Sequence, residues 1–359
     1  MDILLRVITM SAIWILTCCL VGVDPASATV TPTPTNPSDI FKANARLGRG
    51  INLANALEAP VEGEWGVVLE ADDFKNVKRA GFDSVRLPIK WSANAKTTPP
   101  YTIDPAFARR VDWAIGQATT NGLNIIINVH HYNEMDENPA DHAERLKAIW
   151  KQIAERYKKR PDSVYFELYN EPHGNLDAAR WNALIPELLR IIRATNPHRP
   201  VIVGPAEWNG IHALNSLKLP DDPNLIVTVH FYEPFHFTHQ GAEWVEGSKD
   251  WLGITWTGTE EERKLITEKF DQALEFSRRT NRPIFVGEFG AYSKADEASR
   301  VRWTRFVVEQ CQRCGFSWCY WELRAGFGAY DYDRKAWREP LRQALLESTS
   351  LDLTNPSRP

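Results

Sequence analysis

Along the chain, short runs dense in β-branched and aromatic residues alternate with longer stretches whose apolar positions return every three or four residues. The short runs read as strands over Gly50–Leu53, Ser84–Pro88, Ile125–His130, Val164–Asn170, Val201–Gly204, Ile226–Tyr232, Ile284–Glu288 and Ser317–Glu322. Several, such as Ile125–Val129 and Ile226–Val229, are nearly unbroken apolar runs, as in strands covered by helices. Amphipathic helices are predicted over Pro105–Asn121, Asp141–Lys159, Leu176–Thr195, Glu260–Thr280 and Ala295–Cys314. Asp104 followed by Pro105 is a cap with proline at the first helical position. A repeat of strand then helix predicts an α/β fold, a single-domain (β/α)8 TIM barrel, and 359 residues suffice for it. The competitor is a doubly wound open sheet with a glycine-rich phosphate loop after its first strand. Gly48-Arg49-Gly50 precedes that strand and lacks the third glycine, so the dinucleotide reading fails.

The N-terminal pattern differs. Arg6, the apolar stretch Ile8–Val23 and Ala26-Ser27-Ala28 read as a secretory signal peptide over residues 1–28. The alternative, a membrane anchor, needs about 20 apolar residues, more than this stretch holds. Residues 29–39 read as an extended Pro/Thr-rich linker, 40–347 as the barrel domain and 348–359 as a C-terminal tail. The expected location is outside the cell, or the periplasm of a Gram-negative bacterium, with no membrane contact after signal cleavage.

Composition narrows the function. With 42 Lys+Arg against 46 Asp+Glu, the net charge of −4 gives no whole-chain attraction for nucleic acid. Hydrophobic residues at 43% and charged ones at 25% exclude a disordered chain and a polytopic membrane protein. The 14 Trp nearly equal the 15 Phe, more indoles than a core requires, so some are expected to face a ligand. Trp113, Trp150, Trp181 and Trp303 lie within helices and read as core; Trp65, Trp91 and Trp208 are assigned neither way. Cys311, Cys314 and Cys319 read as buried thiols, since Cys311-Gln312-Arg313-Cys314 has no second pair to complete a zinc site.

The predicted strands end on Asn52, Arg86, His130-His131, Asn170-Glu171, Glu207-Trp208, His230 to Tyr232, Glu288 and Trp321-Glu322. In a barrel these ends converge on one face, where active sites lie. Glu171 and Glu288 each end a buried strand, where a carboxylate needs a partner or a purpose. Two carboxylates at a barrel mouth suggest glycoside hydrolysis. The His130-His131 pair invites a metal reading, but adjacent strand residues point to opposite faces and no Asp or Cys at ligand spacing completes a site.

The motifs RLPIKW (Arg86–Trp91), NVHHY (Asn128–Tyr132), YNEPHG (Tyr169–Gly174), VHFYEP (Val229–Pro234), GEFG (Gly287–Gly290) and YWE (Tyr320–Glu322) together resemble glycoside hydrolase family 5. That is a family of retaining (β/α)8 cellulases and mannanases, and the resemblance runs from about Gly48 to Leu345. GINLANALEAPVEGEWG and FHFTHQGAEWVEGSKDWLG are similar to the thermophile-type endoglucanase branch, some of whose members also cut mannan. The resemblance implies Glu171 as general acid/base and Glu288 as nucleophile, with Asn170 on the sugar 2-hydroxyl and His230 against the acid/base. Arg86 and Tyr232 would hold Glu288 ionised, as a nearby cation and a hydrogen bond do. His130 and His131 would line the subsite before the cleaved bond, Trp321 would be a sugar platform, and Asn55 and Glu58 a clamp on sugar hydroxyls. His239 and Trp244 belong to Glu233–Gly258, an aromatic-rich segment suited to the wall of a cleft. Arg324 would add a cation near the substrate, and Tyr169, where Leu is common, would pack behind the acid/base. No cofactor or metal is implied.

The expected protein is thus a monomeric, secreted endo-β-1,4-glucanase whose partner is a β-1,4-linked polysaccharide. β-Mannanase activity, alone or in addition, is the near alternative. A non-catalytic carbohydrate-binding barrel is the remote one, since both carboxylates are present.

Overall fold

Eight parallel strands close on themselves in sequence order, each paired to the next and the last to the first. The computed structural model describes residues 37–347. In chain order the elements are α1 (Pro37–Leu47), β1 (Arg49–Asn52), α2 (Ala71–Ala80), β2 (Ser84–Leu87), α3 (Pro105–Thr120), β3 (Asn124–Asn128), α4 (Asn133–Glu137), α5 (Pro139–Tyr157), β4 (Val164–Glu167) and α6 (Ala178–Arg193). They continue with β5 (Val201–Val203), β6 (Leu225–Phe231), α7 (Phe235–Thr238), α8 (Glu260–Thr280), β7 (Ile284–Phe289), α9 (Glu297–Cys314), β8 (Ser317–Tyr320), the hairpin β9 (Tyr330–Asp331) and β10 (Ala336–Trp337), and α10 (Glu339–Leu346). The expected (β/α)8 barrel is the observed architecture, and each predicted strand and helix lies within a few residues of its place.

Two layers of packing hold the barrel. Ile126, Tyr165, Ile202, Ile226, Phe285 and Cys319 fill its interior, one per strand from β3 to β8. The residues on the other face of the strands, among them Ile125, Ile127, Val164, Val201 and Val227, pack against the helices. Fully burying one such aliphatic side chain is worth about 1.5–3 kcal/mol, so this double coverage, which the apolar runs announce, is the main source of stability.

The expected linker over 29–39 is cut short, because α1 begins at Pro37. Ile40, Ala43 and Leu47 lie one turn apart and join the interior cluster. Tyr165 donates its hydroxyl to the Ala43 carbonyl (2.9 Å), and Asn44 bridges the Ile284 carbonyl (3.0 Å) and Ser317 Oγ (2.7 Å). The helix therefore plugs the end of the barrel at which the strands begin. The expected signal, the rest of the linker and the tail over 348–359 lie outside the described residues. Among the described residues no helix is long and apolar enough to cross a membrane. Cys311, Cys314 and Cys319 are free thiols, the first and last fully buried.

Candidate active site

Arg86, on β2, organises the barrel mouth. Its side chain is fully buried, and all five of its N–H groups have acceptors. Nε and Nη2 donate to the two oxygens of Glu167, each at 2.7 Å, in a fork against a carboxylate. Nη1 donates to Asn52 Oδ1 (3.0 Å) and Glu288 Oε1 (2.7 Å), and Nη2 also to Asn170 Oδ1 (2.6 Å). One guanidinium thus fixes a carboxylate on β4, an amide just beyond it, an amide on β1 and a carboxylate on β7.

Glu288 is nearly buried and accepts a second bond from Tyr232 Oη (3.0 Å). The expectation that Arg86 and Tyr232 hold it ionised meets a larger opposing effect. Burial raises its pKa above the ordinary carboxylate value, with His230, Arg86 and Tyr232 pulling it back. Glu171 stands opposite, on the loop after β4, with a left-handed backbone (φ 52°) and a quarter of its side chain exposed to the cleft. Burial lifts its pKa to about 7, against the lowering influence of Arg86 and His173.

His230 joins the two carboxylates. Its Nδ1 lies 2.6 Å from Glu171 Oε1 and 3.6 Å from Glu288 Oε2. The strand register shifts between Val229 and His230, a bulge of the kind that re-aims a side chain beside a site. Gly287 makes room for the ring, since a Cβ there would come within 3.1 Å of His230 Nε2. Burial depresses the His230 pKa to about 4, so the imidazole is neutral near pH 7. The buried Asn209 amide is satisfied when it donates to the Pro205 carbonyl (2.9 Å) and accepts from the Glu171 N–H (3.3 Å). Its terminal atom on that side is 3.4 Å from His230 Nε2. A carbonyl there places the imidazole proton on Nε2, which leaves Nδ1 to accept from a protonated Glu171.

A cleft of about 1030 Å³ opens over these groups. Asn55, Glu58, His130, His131, Glu171, His230, Tyr232, His239, Trp244, Glu288 and Trp321 all line it, while Arg86 and Asn170 support it from behind. Trp321 lies parallel to His130 (5.9 Å between rings, 12°), and His239 stacks on Phe235 (4.1 Å, 19°). Trp244 is 61% exposed and meets Tyr292 edge-on. Burial pushes the pKa of His130 well below its ordinary value and that of His131 to about 4.

Four sequence readings need correction. His130 and His131 do not point to opposite faces: β3 ends at Asn128, His131 takes φ 50°, and both line the cleft. Arg324 adds no cation to the cleft, because it pairs with Asp73 (3.2 Å) and lies over the Tyr332 ring (4.3 Å), 5% exposed. Glu58 borders the cleft, but its two oxygens first accept the backbone N–H groups of Asn55 and Ala56, closing its own loop. Of the aromatic segment Glu233–Gly258, Trp244 faces the cleft. Trp256 instead packs on Phe306 and Trp251 on His236.

The structure also adds residues. Trp65 and Trp208 line the cleft, at 40% and 56% exposure, whereas Trp91 is buried with its N–H on the Asn128 carbonyl. Glu167 was visible only as a charge inside the buried run Val164–Leu168. Glu171, His230 and Glu288 present donor atoms within 4.8 Å of one another, close enough to share a metal ion. Here they are engaged with each other, and a cation among them would stand beside the Arg86 guanidinium.

Residues 48–326 match the family model described as cellulase (glycosyl hydrolase family 5). The chain is similar to Endoglucanase H of Acetivibrio thermocellus, 38% identical over 316 residues that make up 88% of this chain and 34% of that protein. It also aligns with 35% of the cellulase/esterase CelE of the same organism, so it spans about a third of these two curated relatives. Solved structures of Thermotoga maritima Cel5A, in complex with mannotriose and with cellobiose, are each 50% identical with a TM-score of 0.85. Each alignment covers 86% of this chain and 100% of that one. The clostridial cellulose synthase subunit Z of Clostridioides difficile is 38% identical, with a TM-score of 0.82, over 84% of this chain and 100% of its own.

Proposed function

This chain belongs to the cellulase family, glycosyl hydrolase family 5, and from that premise we propose that it is a retaining endo-β-1,4-glucanase. The observation that carries the reading is the closeness of Glu171 and Glu288, whose nearest carboxylate oxygens lie within 4.8 Å. Retaining glycosidases hold their carboxyl groups about 5–5.5 Å apart, and inverting ones about 6.5–9.5 Å, to admit a water.

In the proposed double displacement, Glu288 attacks the anomeric carbon while Glu171, its pKa lifted to about 7 by burial, gives its proton to the departing oxygen. The C–O bond to the leaving chain breaks as the C–O bond to Glu288 forms. A water then delivers its proton to Glu171, and its oxygen displaces Glu288 from the same face that the leaving chain occupied. Arg86 and Tyr232 stabilise the Glu288 carboxylate as it is released. Asn170, with its oxygen held by Arg86, presents its NH2 group for the 2-hydroxyl. Trp321, Trp244, Trp65 and Trp208 supply flat apolar surfaces along the cleft, which suits the faces of pyranose rings and an endo mode of attack.

A second reading, mannan cleavage in addition, is favoured by the mannotriose complex of the similar Cel5A. Export through a signal over residues 1–28 belongs to the same proposal; N-terminal sequencing of enzyme from the medium should begin after Ala28. Proton NMR of the first products from carboxymethylcellulose, barley glucan and glucomannan tests the reaction. Internal cleavage with the β-anomer appearing first supports the proposal, whereas initial α-anomer, or no attack on any glucan, overturns it.

A further inference from the structure

The loop that carries Glu171 is clamped from behind by groups that the double displacement does not use. Asp136, at the end of α4, is 5% exposed although it is a carboxylate. Its Oδ2 accepts the Tyr169 hydroxyl (2.9 Å), and its Oδ1 accepts the backbone N–H of His173 (3.4 Å) and lies 3.9 Å from His173 Nδ1. His173 Nδ1 is in turn 2.7 Å from the Glu171 carbonyl; a carbonyl only accepts, so Nδ1 carries a proton in this contact. The Asp136 carbonyl takes the Asn175 N–H (2.9 Å). Gly174, with φ 60°, passes so close that a Cβ would sit 3.3 Å from that carbonyl.

These contacts bracket Glu171 on both sides in sequence, Tyr169 before it and His173 after it. Glu171 itself holds a left-handed backbone that a non-glycine residue keeps only where its surroundings over-determine it. Building on the proposed function, we infer that Asp136 and His173 are positioning residues for the proton-donating carboxyl. Asp136 fixes Tyr169 and the His173 backbone, and His173 fixes the Glu171 carbonyl. Together they aim the Glu171 carboxyl at the glycosidic oxygen. Burial lifts the Asp136 pKa to about 6, with His173 and Tyr169 lowering it, so the acceptor stays ionised above that pH.

The test separates proton delivery from folding. In Asp136→Asn the new amide turns an NH2 toward one of two donors, and in His173→Ala the bond to the Glu171 carbonyl is lost. Both variants should lose about tenfold or more in kcat/KM on cellotetraose, a poor leaving group, and only about twofold on dinitrophenyl β-cellobioside, whose leaving group needs no proton. His173→Asn, whose Nδ2 occupies the place of Nδ1, should recover most of the loss. If Asp136→Asn does not fold, the His173 pair carries the test, because that side chain is 36% exposed. Equal losses on the two substrates, or no difference between His173→Ala and His173→Asn, would overturn the inference. An inactive wild type, or a Glu171→Ala variant equally impaired on both substrates, would instead sink the reaction assignment itself.

Discussion

His230 Nδ1 lies 2.6 Å from Glu171 Oε1 and 3.6 Å from Glu288 Oε2, so a single neutral imidazole spans the two carboxylates. On the far side, Arg86 touches Glu288 at 2.7 Å and has no direct bond to Glu171. The arrangement is therefore polarised: one carboxyl is paired with a cation, the other with an uncharged ring. Two acids whose surroundings differ in this way can take different parts in one reaction.

That polarity fixes how the two alanine variants should differ. Glu288→Ala removes the oxygen proposed to attack, and turnover should vanish on every substrate; added azide should restore it as a glycosyl azide of inverted configuration. Glu171→Ala should lose about 10²–10⁴-fold on cellooligosaccharides and far less on activated aryl cellobiosides. An azide product of inverted configuration from Glu171→Ala, and none from Glu288→Ala, would reverse the two assignments.

The fork between Arg86 and Glu167 is fully buried, and breaking such a pair leaves a charge without its partner. Glu167→Ala should lower stability by about 3 kcal/mol in urea denaturation, allowing for the remaining bond to Glu288. Activity should fall too, since Arg86 also holds Asn170 and Glu288. Unchanged stability would mean that Glu288 and Asn52 suffice to hold the guanidinium.

Most of the barrel was legible because its strands are covered on both faces and so read as apolar runs. Helix α1 was not, since its first residues continue a Pro/Thr stretch, although Ile40, Ala43 and Leu47 already carried helical spacing. The residues at strand ends were legible for the same topological reason: Arg86, His230 and Glu288 converge once the barrel closes. Contacts between irregular loops left no periodic trace. Glu207, Trp208 and Asn209 take three consecutive left-handed conformations (φ 63°, 56° and 55°), and of these residue types only asparagine favours one. The link from Asp136 to His173 likewise exists only because the loops after β3 and β4 are neighbours across the barrel rim.

Trp208 belongs to that unannounced loop and stacks on His173 (4.9 Å, 17°), beside Glu171, the proposed proton donor, rather than Glu288. It is therefore placed to hold the departing part of the chain. Trp208→Ala should raise KM about fivefold for cellooligosaccharides long enough to reach it, from roughly 1 kcal/mol of lost ring contact. Aryl cellobiosides, which leave that side empty of sugar, should be hydrolysed as before. A KM increase on both substrates would place Trp208 on the other side of the cleavage point.

Stability should depend on pH in a direction set by burial. Glu58, Glu171 and Glu322 have pKa values raised to about 8, 7 and 7, each chiefly by desolvation. A carboxyl raised in the fold stays protonated there after the unfolded chain has ionised, so its stabilising contribution is full below the unfolded value and disappears as pH climbs to the folded one. His131, His230 and His239, each lowered to about 4 by burial, act oppositely: the unfolded chain takes up protons below its ordinary histidine value, and stability rises with pH up to that point. Between about pH 4.5 and 6.5 the two sets oppose one another. Above about 6.5 the histidines are neutral in both states, and the carboxyls alone remain. The unfolding temperature should therefore fall from about pH 6.5 toward pH 8, and Glu58→Gln should make that fall shallower. A curve still rising between pH 7 and 8, or a Glu58→Gln slope equal to the wild type, would show that Glu58 and Glu322 are ionised in the fold and held by their backbone N–H partners instead.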